Sequence, residues 1–157
     1  MIDKIRDYVA TCPYLDEFVE LNVNYLVDKA KAYSINEGTG YNPVVNTYLN
    51  GDKEMRFIFY FDAKLFWNEE VQNNINNSIF FENFKDWLEE NDNNGVYPEI
   101  NNIEPLSIGA TSNGYIFATN SMEAVYRISC EFSYIKLRGE KKYSCAYRIC
   151  ILMQIRQ

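Results

Sequence analysis

Apolar residues at the start of the chain recur at spacings of three and four: Ile2, Ile5, Tyr8, Val9 and Cys12 share one face of a helix over residues 2–11, which Pro13 ends. The period then drops to two. Leu21, Val23 and Tyr25 alternate with Asn22 and Asn24, a strand pattern, and residues 30–35 predict a second strand before the break at Glu37-Gly38-Thr39-Gly40. Over residues 44–62 the pattern is a hairpin, in which Asn50-Gly51 suits a tight type I′ turn and Met55-Arg56-Phe57-Ile58-Phe59-Tyr60-Phe61 follows. That second strand is apolar on nearly both sides. It is expected at the centre of a sheet with a covering layer on each face.

Asn68 is placed to cap a helix carrying Val71, Ile75 and Ile79, and a second helical stretch holds Phe80, Phe84, Trp87 and Leu88 against an outer face of Glu82, Lys85, Asp86, Glu89 and Glu90. It stops in Asn91-Asp92-Asn93-Asn94-Gly95, where Asn and Gly suit a C-terminal cap. The period returns to two over 103–111, a turn at Ser112-Asn113-Gly114 leads into Tyr115-Ile116-Phe117-Ala118, and Tyr126, Ile128, Cys130, Phe132 and Tyr134 then alternate with Arg127, Ser129, Glu131 and Ser133. Gly139 marks a turn and residues 143–153 read as a last strand, so 137–157 adds a C-terminal hairpin strand. The order predicts an α+β domain: a mainly antiparallel β-sheet packed against two or three helices.

Length and composition agree with one domain spanning 1–157, because 157 residues with 47% hydrophobic and 16% aromatic content supply a core without staples. Charge narrows the partners. With 15 basic and 22 acidic residues the net charge is −7, so the surface repels nucleic acid. Lys136, Arg138, Lys141 and Lys142 cluster late in the chain, interrupted by Glu140, and read as a solvated hairpin tip. Residues 1–7 lack the apolar stretch of a signal peptide, and no run reaches the roughly 20 apolar residues of a membrane span, so a soluble protein made in the cytosol is expected. Cys12, Cys130, Cys145 and Cys150 form no C-x-x-C pair, and reduced thiols packed in the core are the expectation.

Candidate chemistry is thin. The sequence has no histidine, which removes the usual base of nucleophilic triads and the usual activator of a cysteine. Gly38-Thr39-Gly40 has no third glycine and opens no helix, so it reads as a loop and not a phosphate cradle. Glu69-Glu70 and Glu89-Glu90 are adjacent on helices and diverge by about 100°, unlike acids facing across a cleft. Glu90, Asp92 and Asn94 fall at the first, third and fifth places of a calcium-like loop with Gly95 at the sixth, but Asn101 stands where the closing Glu belongs. No cofactor or metal is expected. Aromatic side chains beyond the needs of the core point to an oligomer interface.

The opening Met1-Ile2-Asp3-Lys4-Ile5-Arg6-Asp7-Tyr8 with Cys12-Pro13-Tyr14-Leu15 resembles the start of the minor capsid proteins of tailed phages and prophages of Gram-positive bacteria. The likeness continues through Leu21-Asn22-Val23-Asn24-Tyr25-Leu26, Ala32-Tyr33-Ser34-Ile35, Asn73-Asn74-Ile75-Asn76-Asn77-Ser78, Phe80-Phe81-Glu82-Asn83-Phe84, Gly114-Tyr115-Ile116-Phe117 and Tyr126-Arg127-Ile128-Ser129-Cys130, and it covers residues 1 to about 136. Such proteins are similar in length and pattern to lambda-type tail terminators. The resemblance implies a non-catalytic virion protein, assembled in the host bacterial cytoplasm, that forms a homo-oligomeric ring (a hexamer by that analogy). Its partners would be the phage tail tube and the head–tail connector, with no specific nucleic-acid binding and no membrane. A small protein-binding module and a metal-dependent enzyme are the alternative readings. Under the ring reading the contacts fall on three loops: 36–42 with Glu37, Gly38, Thr39 and Gly40; 92–98 with Asp92 and Asn93; and 137–142 with Arg138 and Lys141. All three are expected to be exposed and mobile until a partner orders them.

Overall fold

In the computed structural model, which describes residues 1–17, 19–28, 31–66, 71–120 and 123–139, the elements run α1 (Ile2–Val9), β1 (Leu21–Val23), β2 (Ala32–Glu37), β3 (Val44–Thr47), β4 (Lys53–Phe66), α2 (Val71–Asn93), β5 (Ile103–Ala110), β6 (Tyr115–Thr119) and β7 (Glu123–Lys136). The fold is α+β, with seven strands in one mixed sheet and two helices among the described residues. β4 and β7 form its spine, paired antiparallel from Lys53↔Lys136 to Phe66↔Glu123. β2 and β3 share the outer edge of β4, β5 and β6 share that of β7, and β1 adds the one parallel pairing, to β2. No helix among the described residues is long and apolar enough to cross a membrane.

Alternation along the spine sorts the side chains. Phe59, Phe61, Ala63 and Leu65 of β4 share a face with Ala124, Tyr126, Ile128, Cys130 and Phe132 of β7, and all are buried. Ile5, Tyr8 and Val9 of α1 and Phe81, Phe84, Trp87 and Leu88 of α2 close over that face. Ring contacts fix the seat of α2: Phe84 stacks on Phe61 at 4.6 Å between centroids, Phe81 lies 5.7 Å from Tyr126, and Trp87 meets Tyr8 of α1 at 5.2 Å. Each such aromatic is worth about 1.5–3 kcal/mol in buried area.

Several expectations need correction. Both helices lie on the same face of the sheet, so among the described residues β4 is covered by helix on one side and not on both. Its outward charges Asp62 and Lys64 are instead paired, as described below. The two helical stretches are one 23-residue helix, α2. The buried arc of α2 consists of Phe81, Phe84, Trp87 and Leu88, so Val71, Ile75 and Ile79 belong to its outer side, where they are 70%, 45% and 45% exposed. The proposed cap, Asn68, and the acids Glu69 and Glu70 lie outside the described residues.

The β3–β4 turn is also not type I′. Gly51 alone has positive φ, at 90°, and the Gly51 N–H reaches Tyr48 O at 2.9 Å while Tyr48 N–H reaches Asp52 O. Leu49 and Asn50 therefore make a type I-like turn with Gly51 as the left-handed bulge residue, the longer hairpin solution. At the other end of the molecule α2 stops as expected. Val96 N–H bonds to Asn91 O and Gly95 N–H to Asp92 O, with Gly95 at φ 68°, which is a Schellman ending. Finally, the segment after β2 is fastened to β4 and not free: Gly38 N–H bonds to Ile58 O at 2.8 Å, Ile58 N–H to the Tyr41 hydroxyl at 3.2 Å, and Arg56 N–H to Pro43 O at 2.9 Å. A Cβ on Gly38 would meet Ile58 Cγ2 at 2.7 Å, so this close approach requires glycine. The last strand read from 143–153 lies outside the described residues; β7 is flanked by β4 and β5 up to Lys136.

Candidate functional site

The helix-free face of the sheet carries the most structured polar assembly among the described residues. The same alternation that points Phe61 and Ile128 at the helices points Asp62 and Arg127 the other way, directly across from each other. Arg127 Nε donates to Asp62 Oδ1 and Nη2 to Oδ2, both at 2.7 Å, a two-pronged pairing that the planar guanidinium favours. Asn36 of β2 donates a third hydrogen bond to Asp62 Oδ2 at 2.8 Å and a further one to Ser34 Oγ. The guanidinium also sits 3.7 Å from the centroid of Phe117 on β6 and 4.6 Å from that of Tyr60 on β4. Its hydrogen bond to Asp62 raises the Arg127 pKa further, against the opposing effect of burial.

A second pairing lies beside it. Lys64 Nζ, in a buried residue, donates to Asp28 at 2.7 Å and reaches Glu123 Oε2 at 3.4 Å. The hydrogen bond to Asp28 raises the lysine pKa and lowers that of the exposed Asp28. Chemically, this face is closed upon itself. Asp62 accepts three hydrogen bonds from cationic or amide donors, and Lys64 is held as a cation between two acids. Such an arrangement holds strands in register and presents a flat polar and aromatic surface.

The expected site residues are scattered. Glu37 ends β2, its N–H donating to Asn24 Oδ1 at 3.2 Å; Gly38 is tucked against Ile58, and Thr39 and Gly40 are exposed. Asp92 and Asn93 belong to the last turn of α2 and not to a loop. Asp92 Oδ1 accepts the Ile108 N–H at 2.8 Å, tying the helix end to β5, so this carboxylate is a brace. Glu90 and Asn94 flank it in the helix ending, and no group of three or more acids, cysteines or histidines converges among the described residues. Arg138 lies at the end of β7, its N–H donating to Asp52 Oδ1 at 2.7 Å; Lys141 lies outside the described residues. Cys12 and Cys130 are free and buried, with burial pushing Cys12 up to about 11 and Cys130 further, while Cys145 and Cys150 lie outside the described residues.

An open hollow of about 490 Å³ lies between α2 and the β5–β6 turn, where Glu82, Lys85 and Asp86 face Asn113 and Gly114. Lys85 donates to Asn113 Oδ1 at 3.2 Å across it, and a Cβ on Gly114 would meet Phe81 at 2.5 Å. Its charges alternate in sign and stay in solvent, so it offers no converging group.

The Arg127–Asp62 pairing went unread in the sequence. Arg127 was legible as an outward residue of β7, but its partner is fixed only by the β4–β7 register. Sequence distance hides that register; the one available signal was an acid following the apolar run Phe57-Ile58-Phe59-Tyr60-Phe61 and an arginine among the polar positions of β7. Exposed apolar residues are a further finding: Tyr115, Ile116 and Phe117 follow one another along β6, each 44–54% exposed. No family model and no curated protein matches the chain.

Proposed function

We propose that this chain is a non-catalytic structural subunit that works by assembling, as a ring-forming tail terminator or head–tail joining protein of a tailed phage. The observation that carries the reading is apolar surface left outside a filled core: the outer stripe of α2 with Val71, Ile75 and Ile79, and the uncharged edge strand β6. Monomeric proteins normally protect an edge with charge or proline, or cover it, and β6 has neither charge nor proline among Tyr115, Ile116, Phe117, Ala118 and Thr119. Contiguous exposed apolar surface of this kind marks interaction sites.

The resemblance to phage minor capsid proteins narrows assembly to a ring at the end of the tail tube. Net charge supports it, since a ring that lets DNA pass gains from an acidic surface, and this chain carries −7. The polar groups of the helix-free face are engaged with one another, which suits a scaffold better than a reaction centre. The test is the mass of the purified protein by sedimentation, from micromolar concentration upward, with negative-stain images of the largest species. Closed rings, about six subunits by the tail-terminator analogy, are expected. A protein that stays monomeric throughout, or stops at a dimer, overturns the reading in favour of a small binding module.

A further inference from the structure

We infer that the outer face of α2 on one copy receives the β3–β4 corner of the next, a head-to-tail contact between two copies of this chain; the inference rests on the ring reading above. Two patches at different places on the molecule complement each other in both apolar and charged character. The first is a single line along α2. Val71, Ile75 and Ile79 are followed at steps of three and four by Glu82, Asp86 and Glu89, all exposed and all on the side opposite Phe84 and Leu88. None of these acids forms an ion pair with a described residue.

The second patch is the corner where β4 begins and β7 ends. Lys53 and Lys136 stand directly opposite each other there, both exposed, and like charges so placed destabilise a strand pair. Neither has an acidic partner among the described residues. Arg138 joins them, lying across Gly51, whose added Cβ would meet Arg138 Nη1 at 2.6 Å. The nearby acids are occupied: Asp52 accepts from Arg138 N–H and from Asn50 Nδ2 at 2.6 Å, and Glu54 accepts from the Tyr48 hydroxyl at 3.0 Å. Beside the cations stand Leu49, fully exposed at 110%, Tyr48 and Leu137.

Each patch thus pairs an apolar half with a charged half, and the charges are of opposite sign. A contact between two different surfaces is heterologous, so its repetition closes into a ring or runs on as a filament, whereas a self-complementary patch would stop at a dimer. The same contact gives the like-charged pair Lys53 and Lys136 the acids that the described residues of the single chain do not provide.

The test reverses each patch separately. One variant carries Lys53→Glu, Lys136→Glu and Arg138→Glu; the other carries Glu82→Lys, Asp86→Lys and Glu89→Lys. Alone, each sets like charges against like, and self-association measured by sedimentation should weaken by about a hundredfold. Mixed in equal amounts, the acidic corner of the first fits the basic helix of the second, while the other two surfaces remain complementary as in the parent, so alternating assemblies should return. Recovery also shows that both variants are folded. If both variants assemble as the parent does, or if mixing restores nothing, the contact lies elsewhere and the inference falls while the ring reading stands. A parent chain that never associates overturns the ring reading and this contact with it.

Discussion

The two faces of the sheet are built from the same strands by opposite means. On the helix side, β4 and β7 contribute Phe59, Phe61, Ile128 and Phe132, each fully buried, and stability comes from removing apolar surface from water. One residue further along each strand, the other face contributes Asp62, Lys64 and Arg127, and burial there is tolerable only because each charge meets a partner. The first face depends on the sum of many contacts. The second depends on pairs, in which loss of one member strands the other. The comparison teaches that a strand without helices over one side can still be apolar-looking in sequence, because aromatic residues such as Tyr60 and Phe117 serve there as stacking plates for a cation.

The strongest break falls on the apolar face. Trp87 packs on both Phe84 and Tyr8, joining α2 to α1, and Trp87→Ala should cost about 3–5 kcal/mol, read as a shift in the denaturant midpoint. A variant that keeps the parent midpoint would show that Trp87 is not part of the core. On the other face, Arg127→Ala leaves the Asp62 carboxylate buried with only Asn36 to compensate, and about 3 kcal/mol of stability should be lost. The contrast sharpens in the double variant Asp62→Leu with Arg127→Met, which removes both charges and should recover most of that loss. If the double variant is as unstable as the single, packing and not pairing governs this face.

Alkali should act through the apolar side. Burial raises Tyr8 to about 12 and Cys12 to about 11, while in the unfolded chain these groups ionise near 10 and 8.5. As pH rises through that window the unfolded chain loses protons first, so stability is full below about pH 8.5 and declines toward pH 12. A melting temperature that stays level from pH 8 to 11 would contradict this, and Cys12→Ala should shrink the decline without removing its cysteine part, because the buried thiol of Cys130 remains. The smallest effect belongs to Phe117→Ala. It removes one plate from the half-exposed stack on Arg127 and should cost roughly 0.5–1 kcal/mol, measurable by the same denaturant titration.

Much of this architecture was legible in the residues. The alternation from Tyr126 to Tyr134 names the buried side of β7 correctly, and the Asn-rich stretch with Gly95 marks the end of α2. Pattern failed where tertiary context decides. Val71, Ile75 and Ile79 have the spacing of a buried stripe, yet the side of α2 that meets the sheet is set by Phe81, Phe84 and Leu88, which lie on the opposite arc. Asn50-Gly51 has the composition of a two-residue turn, but the hairpin registers Thr47 against Lys53 and so takes one more residue into its loop. Gly-rich composition at 37–40 suggested mobility, whereas Gly38 is small so that the backbone can close on Ile58. The ion pairs of the helix-free face need the β2–β4–β7 register, and no local pattern encodes it.

The spine of the sheet has a consequence for the order of events as the chain is made. Every partner across β4 and β7 is separated by the whole of α2, β5 and β6. Long-range pairing of this kind closes large loops before it gains any contact, which makes folding slow. On the ribosome, β4 with its run of phenylalanines emerges long before β7 exists, and its β7-facing edge stays unpaired until residues 123–136 have been synthesised. During that interval the nascent chain presents the most aggregation-prone surface it will ever have. A message truncated ahead of Glu123 therefore yields an insoluble fragment in place of a smaller folded protein, and the full chain depends on chaperone capacity most during synthesis of its middle third.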